Sequence, residues 1–360
     1  MSWLNLYELE AIAKQKVEAT AFDYIASGAN DEITLRNNVE SYKKIQLVPR
    51  RLASNKHPST AIELLGQKMD YPILIAPTAF HGLSHKDAEL GTAHAANKTN
   101  TTMILSTLSN TTIEETSVAG ANMWFQLYIF NNREITLELI RKAEEHGYKA
   151  LVITVDAPIL GKRERDIRNQ FHLPNHLSIA NLAMHMDAAQ LDERKSASSL
   201  ESFFQEQLNN ELNWDDIHWL NSQTTLPIIL KGILHPEDAK LALQAKIAGI
   251  VISNHGGRQL DTEITSIDAL PAIAAIVKET IPIIIDGGIR RGTDILKAIA
   301  LGANAVLIGR PIVWGLADEG IDGSVKVINF LQEEFKQSMQ LVGCKNIKEL
   351  SNEFIYQEPS

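Results

Sequence analysis

Two segments near the C-terminal end of the sequence combine glycines with arginines in a way that could bind a phosphate. They are residues 286–292 (DGGIRRG) and residues 308–311 (IGRP). Glycine lets backbone N–H groups approach an anion closely, and arginine guanidinium groups neutralise its charge. Glycines that only formed turns would leave the arginines unexplained, so the pair of segments favours a bound phosphate. Neither is a Walker loop or a G-x-G-x-x-G turn, which favours a mononucleotide-type cofactor over ATP or NAD.

Short apolar runs that end in polar residues or glycine predict the strands that must position these segments. Their apolar character is nearly continuous, which is typical of strands buried on both faces of a parallel sheet. Segments of helical period lie between them, at 131–145, from 236 onward and at 292–302. The eight predicted strands are 73–76, 103–106, 123–128, 151–155, 227–230, 249–253, 282–285 and 305–309. Eight strand–helix units favour a closed (β/α)8 barrel, a TIM barrel of class α/β, over an open doubly wound sheet.

In such a barrel, chemistry takes place at the C-terminal ends of the strands. Any one polar strand end could merely satisfy loop backbone, but eight together favour a shared ligand. Lys231 could be a Schiff-base amine, a charge over an electron-rich ring, or a surface lysine, and its place after an apolar run disfavours the last. The strand-end residues are Pro77, Thr78, Ala79, Ser106, Gln126, Tyr128, Thr154, Asp156, Lys231, Ser253, His255, Asp286, Gly287, Gly288, Gly309 and Arg310.

The predicted organisation is one domain over residues 1–360. Residues 1–70 precede the first strand and read as a mostly helical N-terminal cap, and 316–360 read as C-terminal helices. The barrel covers 71–315 and includes one long gap, 156–226, which contains the polar stretch 192–199 (DERKSASS). A gap of that length after a barrel strand predicts a lid-like segment over the active face.

Composition excludes several functional classes. Across 360 residues there are 34 Lys+Arg and 44 Asp+Glu, a formal net charge of −10, which gives no global attraction to nucleic acid or anionic membranes. The only cysteine, Cys344, excludes disulfide frameworks and cysteine metal sites and is expected to be an inert or surface thiol.

No apolar run approaches the roughly 18 residues of a membrane span, and no signal peptide is recognisable, so a cytoplasmic protein is expected. Pro174 between His172 and His176 argues against a helical metal site, and no metal is predicted.

Residues 253–261 (SNHGGRQLD) closely resemble the active-site motif of the FMN-dependent L-2-hydroxy acid oxidases and dehydrogenases, the glycolate oxidase and lactate oxidase family. The resemblance extends, in order, through 11–16 (AIAKQK), 24–29 (YIASGA), 76–79 (APTA) and 161–169 (GKRERDIRN) to the two glycine–arginine segments. It covers the chain from about residue 8 to 315. It implies a (β/α)8 fold, FMN as the cofactor, a small 2-hydroxy acid as the substrate, and a homotetramer.

The resemblance also implies roles for individual residues. His255 matches the catalytic base, with Asp156 stabilising its imidazolium form; alone, such a histidine is as readily a core or loop residue with satisfied nitrogens. Arg163 and Arg258 match the arginines that bind the substrate carboxylate, and Tyr24 and Tyr128 match the tyrosines whose hydroxyls hold the substrate. Lys231 matches the lysine that stabilises negative charge on the reduced flavin. The positions that match the flavin ring and ribityl contacts are Pro77, Thr78, Ala79, Ser106, Gln126, Thr154 and Ser253. The positions that match the ribityl–phosphate end are Asp286, Gly287, Gly288, Ile289, Arg290, Gly309 and Arg310.

Two positions refine the expected activity. Leu108 stands where glycolate-preferring relatives carry tryptophan, which favours L-lactate or a longer acid. Ala79 is the form seen in relatives that act as oxidases, so O2, reduced to H2O2, is the expected electron acceptor. A quinone- or cytochrome-linked dehydrogenase and a non-catalytic flavin-binding barrel are the alternatives. The choice between hydride and proton removal from the α-carbon stays open.

Overall fold

The computed structural model describes residues 3–53, 57–185 and 206–357. Three helices come first: α1 (Leu6–Lys16), α2 (Ala19–Ala26) and α3 (Ile33–Lys44). A short antiparallel hairpin follows them, with strands β1 (Ile62–Leu64) and β2 (Gln67–Met69). The segment before the barrel is therefore helical, as expected, except for this hairpin.

The eight predicted strands form a closed parallel barrel in which the last strand pairs with the first, so the (β/α)8 prediction is confirmed and the open sheet is wrong. Aliphatic runs such as Ile283–Ile285 are buried throughout, which is why they read as continuous apolar segments. The barrel strands are β3 (Ile73–Ile75), β4 (Thr102–Ser106), β5 (Met123–Leu127), β6 (Leu151–Thr154), β7 (Ile228–Ile233), β8 (Gly249–Ile252), β9 (Ile283–Ile285) and β10 (Ala305–Ile308).

The helices between the strands begin where the sequence supplies capping residues. Asn132 accepts a hydrogen bond from the Glu134 N–H at the start of α6, and Pro236 is the first residue of α9. The last helix starts at Arg310, directly after β10, and breaks at Gly320, whose φ is +61°. The helices are α4 (Ala88–Lys98), α5 (Ile113–Ser117), α6 (Arg133–Glu145), α7 (Glu164–Arg168), α8 (Trp214–Asn221), α9 (Pro236–Gln244), α10 (Ser266–Val277), α11 (Gly292–Ala300) and α12 (Arg310–Val342). Short 3₁₀ helices span His81–Leu83, Ala180–His185, Ile347–Glu349 and Asn352–Phe354.

The inside of the barrel is a separate apolar cluster from the one between the strands and the helices. Leu64 and Met69 of the β1–β2 hairpin are buried in this inner cluster together with Trp124 and Val152. The hairpin therefore closes the N-terminal end of the barrel, and any site must open at the other end.

Candidate active site

The barrel interior changes from apolar to polar at its C-terminal end. Side chains two positions apart on a strand point to the same side, so the residue two places after each inner apolar residue also faces the interior. For Ile104, Trp124 and Val152 that residue is polar and buried, and the same holds for the following strands. These buried polar positions are Ser106, Gln126, Thr154, Lys231, Ser253 and Asp286.

Hydrogen bonds connect neighbouring members of this polar layer. Gln126 accepts from the Ser106 hydroxyl (Oε1 to Oγ, 3.2 Å) and donates to Thr154 (Nε2 to Oγ1, 2.9 Å). The Lys231 ammonium donates to the Ser253 hydroxyl (Nζ to Oγ, 2.8 Å) and lies 3.0 Å from a carboxylate oxygen of Asp286.

Lys231 is a buried positive charge. Its side chain is only 5% exposed, so the surface alternative is wrong. Burial lowers the pKa of Lys231, but the carboxylates of Asp286 and Asp156 outweigh this effect, and the pKa lies above its ordinary value. Because a protonated amine is a poor nucleophile, this environment favours the role of a fixed charge over that of a Schiff-base amine.

A pocket opens above the polar layer and encloses about 1170 Å³, including solvent at its mouth. All the site residues predicted from the sequence line it except Asp156 and Ser253, which hydrogen-bond to residues that do. Seven other residues, most of them apolar, also line the pocket, and the sequence analysis gave them no individual role although six lie in segments that it named: Ile25, Ala76, Gly256, Leu307, Ile308, Pro311 and Val313.

His255 and Asp156 form a hydrogen-bonded pair at the mouth of the pocket. The imidazole Nδ1 lies 2.9 Å from Asp156 Oδ1. Burial lowers the pKa of His255 more than the nearby carboxylate raises it, so the ring is neutral near pH 7 and able to accept a proton. Burial raises the pKa of Asp156, but the His255 ring and the Lys231 ammonium bring it below its ordinary value. The pair is a neutral base beside a carboxylate that can stabilise its protonated form.

Four arginines converge on the pocket, and none of them has a carboxylate within 4 Å in the part of the chain that the structure describes. Burial and the neighbouring guanidinium groups lower the pKa of Arg258 to about 10 and that of Arg310 to about 9. Packed cations without anionic partners repel each other, so an anion bound among them would be strongly stabilised. The four are Arg163, Arg258, Arg290 and Arg310.

Backbone carbonyls of the last turn of α2 and of the residue after it hold two of these arginines. The Ser27 carbonyl accepts from Arg258 (Nη1, 2.8 Å) and from Arg310 (Nη2, 3.0 Å). Arg258 also donates to the Tyr24 carbonyl, and Arg310 to that of Ile25. The N-terminal cap is thereby fixed to two of the pocket arginines at neighbouring positions.

The Tyr24 ring lies between aromatic and cationic groups. It stacks on Phe171 with 4.4 Å between the ring centroids, and the Arg258 guanidinium lies over it at 5.2 Å. Burial raises the pKa of the Tyr24 hydroxyl, and burial together with Asp156 raises that of Tyr128, so both are hydrogen-bond donors at neutral pH. Phe171 comes from the segment after β6 that was predicted to be lid-like; its polar stretch 192–199 lies outside the described residues.

Other candidates lie away from this pocket. His172 and His176 lie outside the helices, and the described residues contain no group of three or more His, Cys, Asp or Glu side chains arranged to hold a metal ion. Cys344 is a buried thiol, which corrects the surface alternative. In the described ranges no helix is both long and apolar enough to cross a membrane.

The arrangement matches a known family along nearly the whole chain. A model of the FMN-dependent dehydrogenases matches residues 13–357. The chain belongs to the FMN-dependent dehydrogenase family. An L-lactate oxidase of Nostoc sp. is 47% identical in an alignment that covers 98% of this chain and 98% of the oxidase. A 2-hydroxyacid oxidase of Dictyostelium discoideum is 46% identical in an alignment that covers 99% of this chain and 91% of that oxidase. A crystal structure of mandelate oxidase superposes with a TM-score of 0.91, at 36% identity and 98% coverage of each chain.

FMN is the cofactor of this family and of this protein, and the pocket fits it. Arg290 and Arg310 flank glycines at the ends of β9 and β10 and have no carboxylate partner within 4 Å among the described residues, as a bound phosphate requires. One carboxylate oxygen of Asp286, Oδ1, is buried without a hydrogen-bond partner in the described protein, and a polyol chain could donate to it.

Proposed function

We propose that this protein oxidises an L-2-hydroxy acid to the corresponding 2-oxo acid, favours L-lactate or a longer acid over glycolate, and passes the electrons to O2 to form H2O2. We also propose that it acts as a homotetramer, as the family resemblance implies. The observation that carries the proposal is the hydrogen bond between His255 and Asp156 beside two pocket arginines, Arg163 and Arg258, that have no carboxylate within 4 Å among the described residues.

The reaction removes the α-hydrogen, the hydroxyl proton and two electrons from the substrate, and bound FMN would supply the two-electron acceptor. Arg258 and Arg163 would bind the carboxylate, because the planar guanidinium group suits two parallel hydrogen bonds to two oxygens. Tyr24 and Tyr128 would donate hydrogen bonds to the substrate oxygens and orient it.

His255 would accept a proton from the bound acid at its free Nε2, since Nδ1 is directed to Asp156. The resulting imidazolium would be stabilised by the Asp156 carboxylate at 2.9 Å. Lys231, Ser106, Gln126 and Thr154 lie in the polar layer below and would contact the cofactor, with Lys231 offsetting negative charge there.

An anaerobic panel of L-2-hydroxy acids, followed by flavin absorbance and then repeated in air with peroxide detection, tests the proposal. We expect bleaching by L-lactate and longer acids, followed by rapid peroxide release in air. Bleaching without rapid peroxide release would indicate a quinone- or cytochrome-linked dehydrogenase. A yellow protein that no acid bleaches would be a non-catalytic flavin-binding barrel.

Replacing Leu108 by tryptophan is expected to shift selectivity toward glycolate. Leu108 is buried and lines the pocket, so a larger ring there occupies the space that the substrate side chain needs. Each methylene excluded from a pocket changes selectivity by roughly 10–200-fold, so the ratio of kcat/KM for L-lactate over glycolate should fall at least tenfold. Leu341→Trp, at a 70% exposed position on α12, is the matched control and should leave the ratio unchanged. An unchanged ratio in Leu108→Trp would exclude this position from side-chain selection.

The pH dependence of kcat/KM should report His255. Burial holds its pKa below the ordinary value of 6.5, so activity should be level at neutral pH and fall only as the pH drops below about 6.5 and the ring protonates. Asp156 raises the pKa of this ring, so Asp156→Asn should lower the plateau and move the acid limb to still lower pH. Asp215→Asn, at an exposed position on α8, is the control. A limb that moves to higher pH in Asp156→Asn would contradict the assignment.

A further inference from the structure

The side-chain amides of Asn38 and Asn254 hydrogen-bond to each other twice. Asn38 Nδ2 donates to Asn254 Oδ1 at 2.9 Å, and Asn254 Nδ2 donates to Asn38 Oδ1 at 2.8 Å. The two residues are 3% and 1% exposed. The pair joins α3 of the N-terminal cap to the residue directly before His255.

Asn254 fixes the turn that carries His255. Its Oδ1 also accepts from the Gly257 N–H (3.2 Å), and its Nδ2 also donates to the Ile264 carbonyl (3.3 Å), so every hydrogen-bonding position of this amide is used. His255 itself has a φ of +54°, a left-handed conformation that is uncommon for residues other than glycine. Such a conformation persists only where its surroundings impose it: the Ser253 hydroxyl accepts from the His255 N–H (3.0 Å) on one side, and the Asn254 amide holds the Gly257 N–H on the other.

Asn38 also lies against the glycines of the predicted phosphate-binding segment. A Cβ atom on Gly288, whose φ is +80°, would lie 1.9 Å from the Asn38 carbonyl oxygen, and one on Gly287 would lie 3.5 Å from the Asn38 side chain. The glycines at these positions let α3 approach closely. One residue therefore contacts both the 286–288 segment and, through Asn254, the turn that holds His255.

We propose that Asn38 is a positioning residue for the reaction: through its paired amide with Asn254 it holds His255 at the orientation in which the ring can accept the substrate proton. The inference rests on the proposed role of His255 as the base. Neither Asn38 nor Asn254 lines the pocket, so both act through the turn and do not touch the substrate.

Asn38→Leu tests the proposal, because leucine is close to asparagine in size and shape but can make neither hydrogen bond. Proton transfer slows when the base is displaced by a fraction of an ångström. We therefore expect the limiting rate of anaerobic flavin reduction by L-lactate to fall roughly tenfold to hundredfold. The acid concentration for half-maximal reduction should change little, since Arg258 is held by carbonyls of Tyr24 and Ser27 that this pair does not contact. FMN content should equal that of the wild type. Asn38→Ser also removes the paired amide but keeps a hydroxyl that can hydrogen-bond, and it should show the same pattern to a smaller extent. Asn221→Leu is the control, because its amide donates to the Ala245 carbonyl at the opposite end of the barrel.

The same substitution in a His255→Ala background separates positioning from general damage. If Asn38 acts through His255, Asn38→Leu should lower the rate of flavin reduction only slightly further once the imidazole is absent. An equal loss in both backgrounds, or no loss in the wild-type background, would overturn the positioning role. If His255→Ala alone retained full activity, the assignment of the base, and with it the proposed mechanism, would fail instead.

Discussion

His255→Ala is expected to keep its bound FMN and to lose about 10²–10⁴-fold in the rate of flavin reduction by L-2-hydroxy acids, which is the usual contribution of a positioned general base. The imidazole is the proposed proton acceptor, and its hydrogen-bond partner Asp156 lies 2.9 Å from its Nδ1. Lys231 hydrogen-bonds to Ser253 and pairs with Asp286, and neither contact involves the imidazole ring that the substitution removes. The measurement is anaerobic stopped-flow absorbance, with FMN content determined after denaturation.

The control for this variant is His218→Ala, which removes an exposed histidine from α8. It should reduce the flavin at the wild-type rate. Since His255 has a positive φ, a second variant, His255→Asn, keeps a residue that tolerates this conformation and removes the basic nitrogen. A His255→Asn protein that reduced its flavin within threefold of the wild-type rate would exclude this histidine as the base.

The barrel was readable from the sequence because each of its strands is buried on both faces. Runs such as 283–285 and 305–308 are continuously apolar and too short for a buried helix, and glycine or a capping residue marks the start of the next element. The β1–β2 hairpin was not predicted. Each of its strands has three residues, of which only Leu64 and Met69 are buried, so no period can be recognised. Its formation depends on the open end of a barrel that exists only after folding.

The polar layer of the site was predictable for a related reason. The two-residue period of a strand places Ser106 above Ile104 and Lys231 above Ile229, so a polar residue at the end of an apolar run already indicates the pocket. The roles of Arg163 and Tyr24 came from the family resemblance and not from any local pattern. Asn38 was missed altogether, because its partner Asn254 is 216 residues away and a lone asparagine in a helix indicates no function.

Arg258→Met is expected to raise the concentration of acid needed for half-maximal flavin reduction by roughly 10²–10³-fold. Removing one member of a buried, hydrogen-bonded ion pair typically costs about 2–5 kcal/mol, and each 1.4 kcal/mol is a factor of ten. Methionine keeps much of the length and the packing against the Tyr24 ring, which the guanidinium covers at 5.2 Å, and removes the charge. The limiting reduction rate at saturating acid should fall less than the affinity, because His255 keeps its hydrogen bond to Asp156.

Two features of the arginine contacts separate loss of the proposed carboxylate site from loss of the cofactor. Its Nη1 is already engaged by the Tyr24 and Ser27 carbonyls, so Arg258→Lys would have to give up these contacts or the substrate, and should lose nearly as much affinity as Arg258→Met. The Arg310 side chain shares the Ser27 carbonyl but also donates to the carbonyls of Ile25 and Gly256, so FMN should stay bound in both variants.

Arg141→Met, at an exposed position on α6, controls for the loss of one positive charge. Titration of the oxidised enzyme with a non-reactive carboxylate such as acetate or oxalate, followed by flavin absorbance, measures the site without turnover. Wild-type affinity for that anion in Arg258→Met would show that the carboxylate binds elsewhere, with Arg163 as the next candidate.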